Sequence, residues 1–160
     1  MQQRSFLFYF LFLFFSTAII AQTKPTPKSA ADKVFPLGVI KQLYSNELKE
    51  IRTLNIYLPE GYHADSSYPV IYLLDGSADE DFIHVAGLVQ FATFSWVNIL
   101  PKSILAGIAN VDRRRDFTFP SRILEDIKEF PTTGGSEKFI RFLEKELQPF
   151  IEKKYKTTGS

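Results

Sequence analysis

Few side chains in these 160 residues can do chemistry, and their spacing rules out more than it offers. Cysteine is absent, which removes thiolate nucleophiles and disulfide scaffolds. Two histidines are present, His63 and His84. A Ser–His–acid relay needs its base within hydrogen-bond reach of the nucleophile, and no motif here marks such a set. His63 falls in a polar segment that reads as a surface loop, and His84 on a helix surface. Asp79, Glu80, Asp81 and His84 together have the chemistry to ligate a metal. An acidic first helical turn explains the same residues through the helix dipole, so no metal is expected. Neither Gly-x-Gly-x-x-Gly nor a Walker A loop occurs, and no cofactor is expected.

Two polar clusters remain, each following a short apolar run. Asp75-Gly76-Ser77-Ala78 follows Tyr68–Leu74, and Asn110 to Thr118 follows Ile104–Ile108. The second cluster carries Asn110, Asp112, Arg113, Arg115 and Asp116. Gly76 permits a tight turn that a side chain would obstruct. Loops at strand ends often carry function while a scaffold holds them. Asp112–Arg113 or Arg115–Asp116 contacts would brace the second loop. Residue types alone leave two plainer readings open: a strand-ending Asp-Gly turn and a solvated charged loop.

The elements that must position these clusters are legible. Val39–Tyr44 is a first strand and Ser45-Asn46-Glu47 a turn. Ile51, Thr53, Asn55 and Tyr57 alternate with Arg52, Leu54, Ile56 and Leu58, the period of a half-buried strand. The two strands make an antiparallel hairpin. Tyr68–Leu74 and Ile104–Ile108 are apolar without alternation, as in strands buried on both faces. Asp79–Phe91 is helical, with a stripe of Phe82, Val85, Leu88 and Val89. Asn110 to about Gly135 is a long polar loop. Phe139, Phe142, Leu143, Leu147, Phe150, Ile151 and Tyr155 recur at helical spacing. Ser136 is the expected N-cap of that helix, and Pro149 should kink or split it. Buried strands alternating with helices indicate an α/β layer architecture. The final helix should feed another parallel strand, and the pattern contains none.

The first residues read as an export leader. Arg4 precedes an apolar run from Ser5 to Ile20, and Ala18 to Ala21 close it with small and apolar residues. Cleavage is expected after Ala21, giving a signal peptide over 1–21, a flexible lead-in over 22–34 and a folded region over 35–160. The alternative, a membrane anchor, is slightly short of a span. No later segment is apolar for long enough to cross a membrane. The protein is thus expected in the periplasm or outside the cell. The leader holds one basic and no acidic residue, so the remainder balances at 18 of each. That balance gives no sign of a nucleic-acid partner.

Four stretches carry a resemblance. They are Arg52-Thr53-Leu54-Asn55-Ile56-Tyr57-Leu58-Pro59-Glu60-Gly61-Tyr62, Tyr68 to Gly76, Gly107 to Thr118, and Gly135 to Tyr155. In this order and spacing the chain resembles the esterase family of α/β hydrolases, which includes esterase D-like and siderophore (enterobactin-type) esterases. The resemblance implies an α/β-hydrolase sheet, with a hairpin leading into parallel strands, and a serine hydrolase acting on small-molecule carboxylic esters. It also implies that the loop after the third strand supplies one oxyanion donor. That donor would be the N–H of Ser77, with Gly76 shaping the turn and Asp75 as an anchor. Asn110, Asp112, Arg113 and Asp116 would belong to the loop on the active-site side of the sheet.

Such enzymes place the nucleophile in a Gly-x-Ser-x-Gly elbow, with the acid and histidine later in the chain. No Gly-x-Ser-x-Gly occurs here, and Gly159-Ser160 stands where the elbow strand would begin. Ser160 is not expected to be the nucleophile, and the triad is expected beyond it. The chain therefore reads as the N-terminal portion of such a domain, inactive by itself. A non-catalytic extracytoplasmic ligand- or protein-binding module is the alternative, and a decayed gene a third reading.

Overall fold

The alternation around Arg52, Leu54 and Ile56 produces the strand it predicts. In the computed structural model, which describes residues 32–159, β1 (Val39–Ser45) and β2 (Glu50–Tyr57) form an antiparallel hairpin. The fold is that of the unit Phe35–Ser160. The expected signal peptide, most of the lead-in, and Ser160 lie outside the described residues. β3 (Val70–Leu73) and β4 (Ile104–Ile108) are the two apolar runs, and they pair in parallel. β4 also pairs antiparallel with β2, giving the order β1-β2-β4-β3.

The central β4 is buried along its whole length, as expected. β3 departs from expectation, because all four of its residues are only half-buried. Its position at the sheet edge is the reason.

Helices cover both faces. α1 (Phe82–Ala92) lays Phe82, Ala86 and Val89 against Tyr57 and Leu105. Burying a side chain such as Phe82 contributes about 1.5–3 kcal/mol. Leu88, expected in that stripe, is 55% exposed, and Ala86 takes its place. The helix starts later than its acidic residues led us to expect. Asp79 and Glu80 lie in the preceding turn, and Asp81 makes no side-chain cap bond. The Glu80 and Phe82 N–H groups donate instead to the Ser77 carbonyl, at 3.1 and 3.4 Å.

On the opposite face, Phe139, Phe142, Leu147, Ile151 and Tyr155 pack on Leu54, Ile56, Ile104, Ala106 and Ile108. They come from the expected long helix, which is built in three pieces. α4 (Ser136–Phe142) runs into a π-helical turn (Leu143–Leu147) and then α5 (Gln148–Lys154). Pro149 offers no N–H, and its ring crowds the carbonyl four residues back. A wider turn just before it accommodates both faults without breaking the axis. Ser136 is the first helical residue, not the cap; Gly135 holds the cap position, and the buried Ser136 hydroxyl has no partner among the described residues.

The π-helical turn directs Glu146 at the β1–β2 turn. Its carboxylate accepts from the Ser45 hydroxyl at 2.5 Å and from the N–H groups of Asn46 and Glu47 at 2.8 and 3.2 Å. Glu146→Ala is expected to lower the unfolding free energy by about 2 kcal/mol, because donors aimed at a charged acceptor lose it. The urea midpoint should fall with an unchanged slope; an unmoved midpoint would mean the hairpin does not lean on this helix.

The region expected as one long polar loop contains two short helices, α2 (Arg113–Phe117) and α3 (Leu124–Glu129). The end of the chain also differs from expectation. After α5 the backbone reaches the free edge of β3 and makes a parallel bridge between Tyr68 and Thr157. The Tyr68 N–H donates to Lys156 O at 3.1 Å, and the Thr158 N–H to Tyr68 O at 3.0 Å. Among the described residues, no helix is long and apolar enough to cross a membrane.

Candidate active site

The parallel strands β3 and β4 end side by side, so the loops after them meet. β3 runs into Asp75, which has φ of 54°. That left-handed conformation is unfavourable for a residue with a Cβ, and persists where its surroundings hold it. Two residues of the β4 loop do so. Asn110 Nδ2 donates to Asp75 Oδ1 at 2.8 Å, and Arg113 donates to both carboxylate oxygens at 2.9 and 3.3 Å. Asn110 also donates to the Glu80 carboxylate at 3.0 Å.

The Arg113 hydrogen bonds, and then that of Asn110, hold the Asp75 carboxyl below its ordinary 3.8. A carboxylate with a depressed folded pKa adds stability above its unfolded pKa, and loses it as pH falls through the folded one. Arg113→Met should therefore lower the urea midpoint at neutral pH, modestly, because Arg113 is largely exposed. The gap from wild type should close as pH falls below 3.8. A gap of equal size at pH 7 and pH 2.5 would show that the ion pair is not its source.

Next in the loop is Gly76, pressed onto β4. Its N–H donates to Ile108 O at 3.0 Å. A Cβ there would lie 2.5 Å from Gly107 Cα and 2.6 Å from Ile108 N, closer than any side chain sits. Gly107 faces it from β4, and this pair of glycines lets the loop lie against the sheet. The buried Asn55 of β2 donates its Nδ2 to Gly76 O at 2.7 Å. The Ser77 carbonyl closes the turn through Glu80 and Phe82. The Ser77 N–H, by contrast, donates to no backbone carbonyl among the described residues.

The rest of the β4 loop is braced from below. Asp112 caps α2, accepting from the Arg115 N–H at 3.0 Å, and this backbone donor keeps its carboxyl below the ordinary range. Asp116 is buried and accepts from Arg52 at 2.7 Å and Arg115 at 2.8 Å. Glu50 accepts from Arg115 at 2.6 Å and from Arg52 at 2.8 Å; Arg115, then Arg52, depresses its pKa. Arg52 is itself fully buried, donates to Ala109 O at 3.0 Å, and lies over the Phe139 and Phe142 rings.

Of the residues singled out in the sequence, Asp75, Gly76, Ser77, Asn110 and Arg113 come together at the ends of β3 and β4. Asp112 and Asp116 serve the bracing of α2. Arg115–Asp116 forms as anticipated, while Arg113 reaches Asp75 in place of Asp112. Of the three consecutive arginines, only Arg113 joins the β3 loop; Arg114 lies over the Phe130 ring at 3.8 Å. His63 and His84 are exposed. Arg52 and Asn55 were not anticipated, and Glu80, read in the sequence as part of an acidic helical turn, instead accepts from Asn110. A charge at an inward strand position was the available signal for Arg52; Asn55 gave none, and the acidic run at Glu80 did not indicate Asn110 as its partner.

Along the outer edge of β3 runs a groove of about 120 Å³, lined by Pro69, Val70, Tyr72, Glu152, Thr157 and Gly159. Tyr68 turns its N–H and carbonyl to the Lys156–Thr158 segment. Strand geometry repeats every second residue, so Val70 and Tyr72 turn theirs into the same groove.

A family model described as "Putative esterase" matches residues 45–160. The ferri-bacillibactin esterase BesA of Bacillus subtilis (strain 168) is 30% identical over 148 residues, covering 84% of this chain and 51% of that protein. Two solved structures share the fold. An IroE-like serine hydrolase from Shewanella oneidensis superposes with a TM-score of 0.68 at 42% identity, covering 76% of this chain and 40% of its own. The BES protein from Bacillus cereus gives 0.64 at 27% identity, covering 82% and 52%. The chain thus spans about half the length of the curated relative and similar fractions of the two structures.

Proposed function

The chain belongs to this esterase family, and from that premise we propose that it is the N-terminal part of an exported serine esterase that hydrolyses small-molecule carboxylic esters. The observation that carries the reading is the pinned loop at Asp75–Ser77. Acyl transfer places negative charge on the carbonyl oxygen, and fixed N–H donors aimed there supply much of the stabilisation. The Ser77 N–H is such a donor: its loop is tied down at Asp75, Gly76 and Ser77 O, and among the described residues it meets no backbone acceptor.

The free edge of β3 supports the position of the missing nucleophile. Thr157 stands opposite Tyr68. A strand continuing in this register draws level with Leu74 about six residues later, at one residue per residue of its partner. A nucleophile elbow there would present its serine beside Ser77. The acid and histidine of the triad would follow, and this chain alone would be inactive.

The leader over 1–21 would direct the protein to the periplasm or the exterior and be removed. The name of the ferri-bacillibactin esterase makes an iron–siderophore ester the first substrate to test, beside aryl and acyl esters. The protein purified from its source should hydrolyse at least one of these with saturation kinetics. Absence of turnover across the panel, in a folded preparation, would sink the reading.

A further inference from the structure

The side chain that aims the Ser77 N–H lies outside the loop, on β2. A trans peptide unit is planar, with its carbonyl and N–H pointing in opposite directions, and no cis bond occurs among the described residues. Gly76 O and the Ser77 N–H belong to one such unit. Whatever holds the carbonyl therefore sets the direction of the N–H. Asn55 holds it, donating Nδ2 at 2.7 Å from a site that is 4% exposed. Asn55 is fixed in turn, paired with Ile40 on one side and Gly107 on the other.

A glycine on one side of a peptide makes that unit easy to flip, because glycine tolerates the backbone angles of both orientations. The close approach to β4 requires glycine at position 76, so packing selects the residue least able to hold its own peptide. An amide donor beneath the carbonyl corrects this. We propose that Asn55 is a positioning residue for the oxyanion donor: it locks the Gly76–Ser77 peptide so that the Ser77 N–H faces the reacting carbonyl. This rests on the assignment of Ser77 above.

The test has two arms. In the protein as produced by its source, nuclear magnetic resonance should detect scalar coupling from the Asn55 side-chain nitrogen to the Gly76 carbonyl carbon. The Asn55 amide protons should exchange slowly and the Ser77 N–H quickly. In Asn55→Asp the ionised carboxylate repels the Gly76 carbonyl, and the Ser77 resonance should shift. Acidification restores an O–H donor, so the resonance should return toward wild type. In Asn55→Leu it should not return at any pH. In the enzyme from its source, Asn55→Asp at neutral pH should lower kcat about 100-fold, the effect of losing one oxyanion donor, with KM little changed.

Absence of the coupling in wild type, or an unmoved Ser77 amide in a folded variant, would overturn the role of Asn55 alone. A reoriented Ser77 amide with unchanged kcat would overturn Ser77 as the donor, and this inference with it. The wild-type coupling needs no variant, so a misfolded substitution does not remove the test.

Discussion

Asp116→Ala is expected to lower the unfolding free energy by about 3–5 kcal/mol, the cost of leaving a buried charge without its partner. The charge is that of Arg52, which has no exposed surface and whose Nε already has no acceptor among the described residues. Glu50 keeps one hydrogen bond to Arg52, which places the effect toward the lower end. The loss exceeds that of any exposed ion pair among the described residues, since such pairs are worth about 0–1 kcal/mol. The sign of the net contribution is a separate matter. Burying the whole network costs desolvation, so the paired replacement Arg52→Met with Asp116→Leu should be much less harmful than Asp116→Ala. Urea unfolding of both variants decides this. A double variant as unstable as the sum of its single changes would show that the charges themselves hold α2 in place.

Gly76→Ala should be the most damaging single change at the candidate site. The added Cβ meets backbone at 2.5 and 2.6 Å, and backbone cannot swing aside as a side chain does. Overpacking of this kind costs about 1–3 kcal/mol. In the enzyme from its source, moving the loop should also lower kcat by about 10²–10³, the effect of removing an oxyanion donor. Ser77→Ala is the matched control. It keeps the backbone N–H and removes only the hydroxyl, so kcat should stay within about threefold, well short of a lost donor. A Ser77→Ala variant as impaired as Gly76→Ala would transfer the role from the backbone to the side chain.

Local patterns disclosed the scaffold more fully than the site. Period-two alternation gave the hairpin, two unbroken apolar runs gave β3 and β4, and helical spacing from Phe139 to Tyr155 gave the long helix. Pro149 announced a fault in that helix, though not that a wider turn upstream would absorb it. What escaped depends on partners far apart in the chain. Arg52 has Asp116 as its buried partner, and Asn55 makes its key bond to Gly76. Neither pairing has a local signature. The edge position of β3 escaped because strand order is set by topology, which a run of Val, Ile, Tyr and Leu does not encode. Ser136 was misplaced by one residue because a serine before a helical stripe has the same composition whether it caps the helix or opens it. Asp75, Gly76, Asn110 and Arg113 were legible as two loops. That they clasp each other follows from the parallel pairing of the strands that carry them.

The most direct test of a serine esterase with its nucleophile past the β3 edge is covalent labelling. The protein purified from its source would be treated with a fluorophosphonate, in which an activated serine oxygen attacks phosphorus and fluoride leaves. Digestion and mass spectrometry then locate the modified residue. One labelled serine is expected, within a Gly-x-Ser-x-Gly sequence that follows Thr158 by fewer than about ten residues, the distance set by one strand up to its elbow. An active protein that takes no label, or one labelled at Ser77 or any other serine of residues 32–159, would contradict it.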